Sequence, residues 1–305
     1  MDAWTTDVVV DALGVAEALE ARALAFDGHP SLAETVWRDL EDPAEESLSL
    51  IAQRDGAPAA FAHLARSDTF APRHWVLGFV TDPGARDEVP LRDLLDRAVA
   101  HALTEGGGRI VAWTFDPSER AEMHLEAAGF AIDRELLQMR VPLPRTEAPA
   151  WPPGIEVRTF EIGVDETAWL EVNNRAFANH PEQGGWIEST LTRRMSEPWF
   201  DPELFLVAFD DHGLAGFNWL KIHDAHHRDP ALGEIFVIGV DPRVQGTGLG
   251  RALALAGLEL VGERGVSTGL LYVAAENTSA VALYRSLGFE VSRVDRAYAR
   301  AVEQS

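Results

Sequence analysis

The stretch Val240-Asp241-Pro242-Arg243-Val244-Gln245-Gly246-Thr247-Gly248-Leu249-Gly250-Arg251 decides how this chain is read. Before it, Glu234 to Val240 is rich in β-branched residues and predicts a strand. After it, Leu249 to Glu263 carries apolar residues around a helix that stops near Gly265. A glycine-rich turn that feeds a helix start suits an anion. Lacking Cβ atoms, Gly246, Gly248 and Gly250 let backbone N–H groups close around phosphate oxygens, and the helix start adds about half a positive charge. The spacing rejects two nucleotide motifs: G-x-G-x-x-G would need glycine where Arg251 stands, and no Gly-Lys-Ser/Thr follows for a P-loop. Taken alone, the segment also fits a turn that merely caps a helix, so the residues around it must decide.

Downstream, Leu270 to Ala274 predicts a buried strand. Asn277 to Leu287 predicts a short helix stopped by Gly288, which tolerates positive φ. Upstream, Ile155 to Phe160 alternates as a strand and Glu166 to Ala178 has helical spacing. Leu204 to Phe209 and Leu214 to Ile222 form a hairpin around Asp210-Asp211-His212-Gly213. Ala297 to Val302 is expected to close the sheet. Strands and helices in this order give the α/β (α+β) class, a mixed central sheet flanked by helices.

The pattern occurs twice. Asp82-Pro83 matches Asp241-Pro242, and Gly129-Phe130 matches Gly288-Phe289, both at an offset of 159 (241 − 82 and 288 − 129). Ala25-Phe26 with His29-Pro30 pairs with Ala176-Phe177 with His180-Pro181 at 151 (176 − 25). Between the copies, residues 142–154 hold so many prolines that neither helix nor inner strand can form. The expected organisation is therefore an N-terminal domain over residues 1–141, a proline-rich linker over 142–154 and a C-terminal domain over 155–305.

Composition narrows the function. A chain of 305 residues with 46% hydrophobic content is comfortable as two domains of about 100–150 residues each. A net charge of −23 opposes nucleic acid or an anionic membrane surface as partner, so an anionic ligand must be held locally. With no cysteine there is no disulfide, thiolate nucleophile or cysteine-bound metal, which fits a cytoplasmic setting. Neither a signal peptide nor an apolar span is read from the sequence. His223, His226 and His227 read as a polar loop and not as a metal site, and the acidic run over residues 39–46 as a solvated loop.

The loop Gln245-Gly246-Thr247-Gly248-Leu249-Gly250, followed by Asn277, Tyr284 and Leu287-Gly288-Phe289, resembles the GNAT superfamily of N-acetyltransferases, whose pyrophosphate loop reads Q/R-x-x-G-x-G/A. The resemblance covers nearly all of residues 155–302. It implies two tandem GNAT acyltransferase domains, acetyl-CoA as co-substrate and no metal. It places Ile238, Gly239 and Val240 against the pantetheine and acetyl carbonyl. Gln245, Gly246, Thr247, Gly248, Leu249, Gly250 and Arg251 then wrap the pyrophosphate, and Asn277, Thr278, Ser279, Ala280, Val281 and Ala282 complete the coenzyme site.

Acetyl transfer to an amine needs a neutral amine, a polarised carbonyl and a protonated leaving thiolate. Glu234, at the start of the strand before the loop, is the candidate base, against the alternative of a solvated strand-end charge. Tyr284 is the candidate acid, against that of a core tyrosine. The first copy aligns Arg86, Asp87, Glu88, Val89, Pro90 and Leu91 with the loop, Trp75 with Glu234, Ser118 with Asn277 and Leu125 with Tyr284. Two carboxylates and a proline there disfavour phosphate, so the N-terminal domain is expected to be non-catalytic, with a degenerate coenzyme loop.

A closer likeness lies in residues 172–186, in Trp199-Phe200-Asp201-Pro202, in Phe217-Asn218-Trp219-Leu220-Lys221, in Leu271-Tyr272-Val273 and in residues 292–298. These are similar to the tandem branch of the superfamily that completes mycothiol synthesis by acetylating the cysteinyl amine of cysteinyl-glucosaminyl-inositol. The likeness implies that Glu182, Lys221, Glu234 and Tyr272 contact the acceptor, with Glu34 reaching it from the N-terminal domain. An aminothiol sugar suits carboxylates, a lysine donor and aromatic faces such as Trp186 and Trp219, although such tryptophans are more often core residues than sugar platforms. The expected partners are thus acetyl-CoA and a small-molecule acceptor, with the protein a monomer. A GNAT enzyme for another amine or a peptide N-terminus, and a non-catalytic acetyl-CoA sensor, are the competing readings.

Overall fold

The computed structural model describes residues 4–9, 11–67, 74–178, 183–225 and 230–303. In chain order the first half forms β1 (Trp4–Val8), α1 (Ala12–Asp27), α2 (Glu34–Glu41), β2 (Leu48–Arg54), β3 (Ala57–Ser67), β4 (His74–Thr81), α3 (Leu91–Thr104), β5 (Gly108–Phe115), α4 (Glu119–Ala127) and β6 (Ala131–Pro142). The second half forms β7 (Glu156–Thr159), α5 (Glu166–Ala176), α6 (Glu188–Met195), β8 (Phe205–Asp210), β9 (Gly213–His223), β10 (Leu232–Val240), α7 (Leu249–Glu263), β11 (Thr268–Ala274), α8 (Thr278–Ser286) and β12 (Glu290–Val302).

The duplication is visible in these elements. The helix α4 begins at Glu119 and α8 at Thr278, and they end at Ala127 and Ser286, an offset of 159 at both ends (278 − 119 and 286 − 127). Each half arranges its strands alike. The strands β2, β3 and β4 run antiparallel and β4 pairs parallel with β5 after the crossover of α3. Equally, β8, β9 and β10 run antiparallel and β10 pairs parallel with β11 after the crossover of α7.

The compact units do not follow the boundaries expected from the sequence. Unit 1 is Met1–Leu137, Ala274–Glu276 and Arg293–Ser305; unit 2 is Gln138–Val273 and Asn277–Ser292. The expected C-terminal domain over 155–305 is thus corrected at its end, because β12 closes the sheet of unit 1: Asp295 to Val302 pair antiparallel with Phe115 to Gly108 of β5. There Tyr298 is fully buried beside Leu125 and Trp75. The last residues of β6 enter unit 2, where Val141 packs against Gly269 and Leu143 N–H donates to Ser267 O at 2.9 Å. The proline-rich linker over residues 142–154 is itself packed. Within unit 2, Trp151 and Ile155 pack on the cluster of Leu249 and Leu253, and Glu147 holds Arg251.

The sheet of unit 2 has two different faces, as strand alternation requires. On one, Phe205, Phe217, Trp219 and Val237 pack with Trp169, Val172 and Leu191 from α5 and α6. The other takes α7 at close range. A Cβ at Gly233 would lie 2.6 Å from Val261, and one at Gly257 would lie 2.2 Å from Asn218 Nδ2. Small residues on both surfaces let helix and sheet approach, and Asn218, fully buried, donates from Nδ2 to Leu253 O at 2.8 Å.

Candidate active site

The strands β10 and β11 are paired only over Leu232–Ile235 and Thr268–Leu271. Beyond that, β10 runs on to Val240 and β11 to Ala274. A register shift between Ile235 and Val237, a β-bulge at Phe236, bends β10 where the strands part. The opening therefore leaves backbone groups of residues 236–240 on the β11 side outside that ladder. The helices that follow the two strands, α7 and α8, both begin at this end, so two helix N-termini serve the same crevice.

The loop from β10 to α7 turns tightly into a helix start. Its first residues form a 3₁₀ turn, Pro242–Val244, capped by Asp241 through Arg243 N–H at 3.0 Å. Asp241 is buried, and burial alone would raise its pKa. The Arg175 guanidinium, with Nη2 at 2.6 Å and Nε at 3.1 Å, the Arg243 N–H and the two nearby charges outweigh this and bring it below the usual carboxylate range. Gly246 and Gly248 stand at φ +79° and +94°, and a Cβ at either would meet nothing within 4 Å. Gly248 starts α7 with no side-chain cap, so no N-cap side chain takes up its first-turn N–H groups. Gly239 is glycine for a different reason: its Cβ would lie 2.6 Å from the Phe217 ring and 3.2 Å from that of Phe177. The residues present fit a pyrophosphate.

Glu234 stands on β10 opposite Lys221 of β9. It is 8% exposed. His223 Nε2 meets its Oε2 at 2.6 Å. The Lys221 ammonium lies 4.8 Å from the centre of the Trp199 ring. Tyr284, on α8, is buried with its ring edge-to-face on Phe289, and burial pushes its pKa up to about 12. It is a phenol that holds its proton throughout the neutral range.

The family model described as "Acetyltransferase (GNAT) family" matches residues 168–289, the segment that carries the crevice. The chain is 41% identical over 300 residues to a protein of Thermomonospora curvata named mycothiol acetyltransferase, covering 97% of this chain and 95% of that one. The chain belongs to the mycothiol acetyltransferase family of GNAT enzymes. Two solved structures share its fold. A GCN5-related N-acetyltransferase from Sphaerobacter thermophilus superposes with a TM-score of 0.74 at 26% identity, covering 99% of this chain and 96% of that one. A tandem GNAT protein of the clavulanic acid biosynthesis pathway gives 0.70 at 17% identity, covering 99% and 100%. As a family member the chain is an N-acetyltransferase that uses acetyl-CoA.

Within this mycothiol acetyltransferase family member, the expected site residues divide by what they do. The side chains of Ile238 and Val240 pack in the apolar cluster under α7. Gln245 donates to Val240 O at 3.3 Å and Thr247 to Val244 O at 2.8 Å, so both shape the loop. Leu249 is core, as is Val281 on α8. Gly250 lies in the first turn of α7, and Thr278, Ser279, Ala280 and Ala282 in the first turns of α8. Asn277 Oδ1 accepts from Ala280 N–H at 3.2 Å, an N-cap, as Ser118 caps α4 in the first copy. The Arg251 guanidinium turns away, onto Glu147 at 2.7 Å and Ser286 Oγ at 2.7 Å, so only its backbone serves the loop.

For the acceptor residues, Tyr272 OH accepts from Gln138 Nε2 at 2.9 Å, and Gln138 Oε1 is itself held by Ser292 and Arg140. Glu34 belongs to unit 1, exposed on the first turn of α2 and paired with Arg38 at 2.9 Å. Glu182 lies outside the described residues, as do His226 and His227. Trp219 is fully buried and Trp186 packs edge-on against Trp169, so Trp219 is core and no sugar platform. Among the described residues, no helix is long and apolar enough to cross a membrane, and no three His, Asp or Glu side chains gather as a metal site.

Sequence reasoning missed the Asp241–Arg175 brace, the Gln138–Tyr272 contact and the His223–Glu234 contact. The first had a signal: a buried Asp-Pro start to a turn asks for a compensating cation. In the first copy, Trp75 is fully buried and donates to Gly107 O at 3.1 Å, and Leu125 is core. Arg86, in its loop, is tied to Asp27 at 2.7 Å and 3.0 Å, and Pro90 stands at the start of α3.

Proposed function

We propose that this enzyme transfers the acetyl group of acetyl-CoA to the cysteinyl amine of cysteinyl-glucosaminyl-inositol, completing mycothiol, in the crevice between β10 and β11. The observation that carries the reading is the enclosed Glu234 on the strand that leads straight into an open, glycine-lined helix start. The full-length likeness to named mycothiol acetyltransferases supports the acceptor. In the mechanism, Glu234 takes a proton from the acceptor ammonium, directly or through one water, and frees its lone pair. The amine nitrogen attacks the thioester carbonyl, whose oxygen gains charge and is met by backbone N–H groups of residues 236–240. As the C–S bond breaks, the Tyr284 hydroxyl gives its proton to the coenzyme sulfur; the nitrogen loses its second proton to water as the amide forms, and water returns a proton to the Tyr284 phenolate.

Lys221 and Tyr272 stand on the strands flanking β10 and are proposed to bind the acceptor, with Glu182 and Glu34. The first copy is proposed to be catalytically silent, since Trp75 and Leu125 replace base and acid. The test is thiol release from acetyl-CoA with the pseudodisaccharide, against aminoglycosides and peptides and corrected for the acceptor's own thiol. Turnover on the pseudodisaccharide alone is expected. Turnover only on another amine would keep the fold and replace the acceptor, and coenzyme binding without any turnover would leave a sensor.

A further inference from the structure

The contact between His223 Nε2 and Glu234 Oε2, at 2.6 Å, follows from strand register. Leu232 stands opposite His223 and Glu234 opposite Lys221, so Glu234 and His223 are diagonal neighbours on one face. The Glu234 side chain is 10% exposed and that of His223 is 35% exposed. The pair thus links an enclosed carboxylate to a ring that reaches solvent. A base that has taken the acceptor's proton must release it before the next turnover, and an enclosed carboxylate needs a partner to do so.

We propose that His223 is that partner, a positioning residue that presents the Glu234 carboxylate and carries its proton to water. The inference rests on Glu234 being the base. The protons balance. The acceptor N–H bond breaks and an O–H bond forms on Glu234. While Glu234 is ionised, the Nε2–H tautomer of His223 donates to its carboxylate; once Glu234 is protonated, the Nδ1–H tautomer, reached by proton exchange with water, accepts that proton at Nε2, giving a carboxylate and an imidazolium, and the imidazolium returns its Nδ1 proton to water, which restores the Nε2–H tautomer. On the same side of the sheet stand Lys221 of β9, with its ammonium on Trp199, Arg194 of α6 over Phe236, and Tyr272 of β11.

The experiment uses the full chain with acetyl-CoA and the amine acceptor. His223→Gln keeps a side-chain donor near the carboxylate but cannot titrate, and His223→Ala opens room for added imidazole. Both variants are expected to lose about 10- to 100-fold in kcat, with the acetyl-CoA KM within about two-fold of the parent. The acid limb of the kcat profile should shift, and imidazole should restore His223→Ala. Parental kcat and an unmoved pH limb in His223→Gln would overturn the relay, and so would no rescue of a folded His223→Ala. Glu234→Gln separates the two readings. If it keeps turnover, the base assignment fails; if it is inactive while His223→Gln is fully active, only the relay fails.

Discussion

Tyr284 carries two properties that pull in one direction. Burial raises its pKa to about 12, and a raised pKa keeps the phenol protonated as a donor. The associated stabilisation is full below the unfolded value near about 10 and is lost as pH rises from there through about 12. Tyr284→Phe should therefore keep the fold and coenzyme binding but lower kcat about 100-fold or more, read by steady-state kinetics alongside calorimetry. Asp241 has the opposite sign: its lowered pKa gives stability above about pH 4 that fades as pH falls. Asp241→Asn should cost about 1–3 kcal/mol at pH 7 and less at pH 3, measured by denaturant unfolding at each pH. Sequence alone could name Tyr284, because a motif marks it. It could not name Arg175, which lies 66 residues from its partner.

At the scale of elements, the helices α7 and α8 and the strand β10 were readable because their periodicity, glycines and cap residues are local. The start of β10 at Leu232 and the bulge at Phe236 were not, since both depend on what pairs alongside. The loop before α7 makes its own demand on stereochemistry. Gly248→Ala would place a side chain at φ +94°, costing about 1–2 kcal/mol although the surrounding space is open. Gly239→Ala meets the opposite obstacle, an ordinary φ but an aromatic ring 2.6 Å away. Thermal melts should show both destabilised. A crystal structure or amide exchange would find the Gly248 change confined to the loop and the Gly239 change spread into Phe217 and Phe177.

For the whole molecule, charge and topology dominate. A net charge of −23 repels an anionic coenzyme at long range. The kcat/KM for acetyl-CoA should accordingly rise as ionic strength increases from about 0.01 to 0.15 M, a range in which the Debye length falls from about 30 to 8 Å. A fall instead would mean that a local positive field governs capture. The exchange of end strands was illegible in the sequence, because β12 has the right pattern for either sheet and only tertiary packing chooses. Cutting the chain after Ser292 removes the strand that holds Tyr298 and Val302 in the core of unit 1. Circular dichroism and limited proteolysis should then show unit 1 opened and unit 2 retained.

That same exchange sets a timetable for biosynthesis. Unit 1 holds most of the residues that leave the ribosome first, yet its share of β12, Arg293–Val302, is made after every residue of unit 2. The half that begins life earliest is the last to be finished, and until Arg293–Val302 emerge the edge of β5 is left open to wrong partners. A ribosome stalled just short of those residues would hold a nascent chain whose later half is complete and whose earlier half is still waiting.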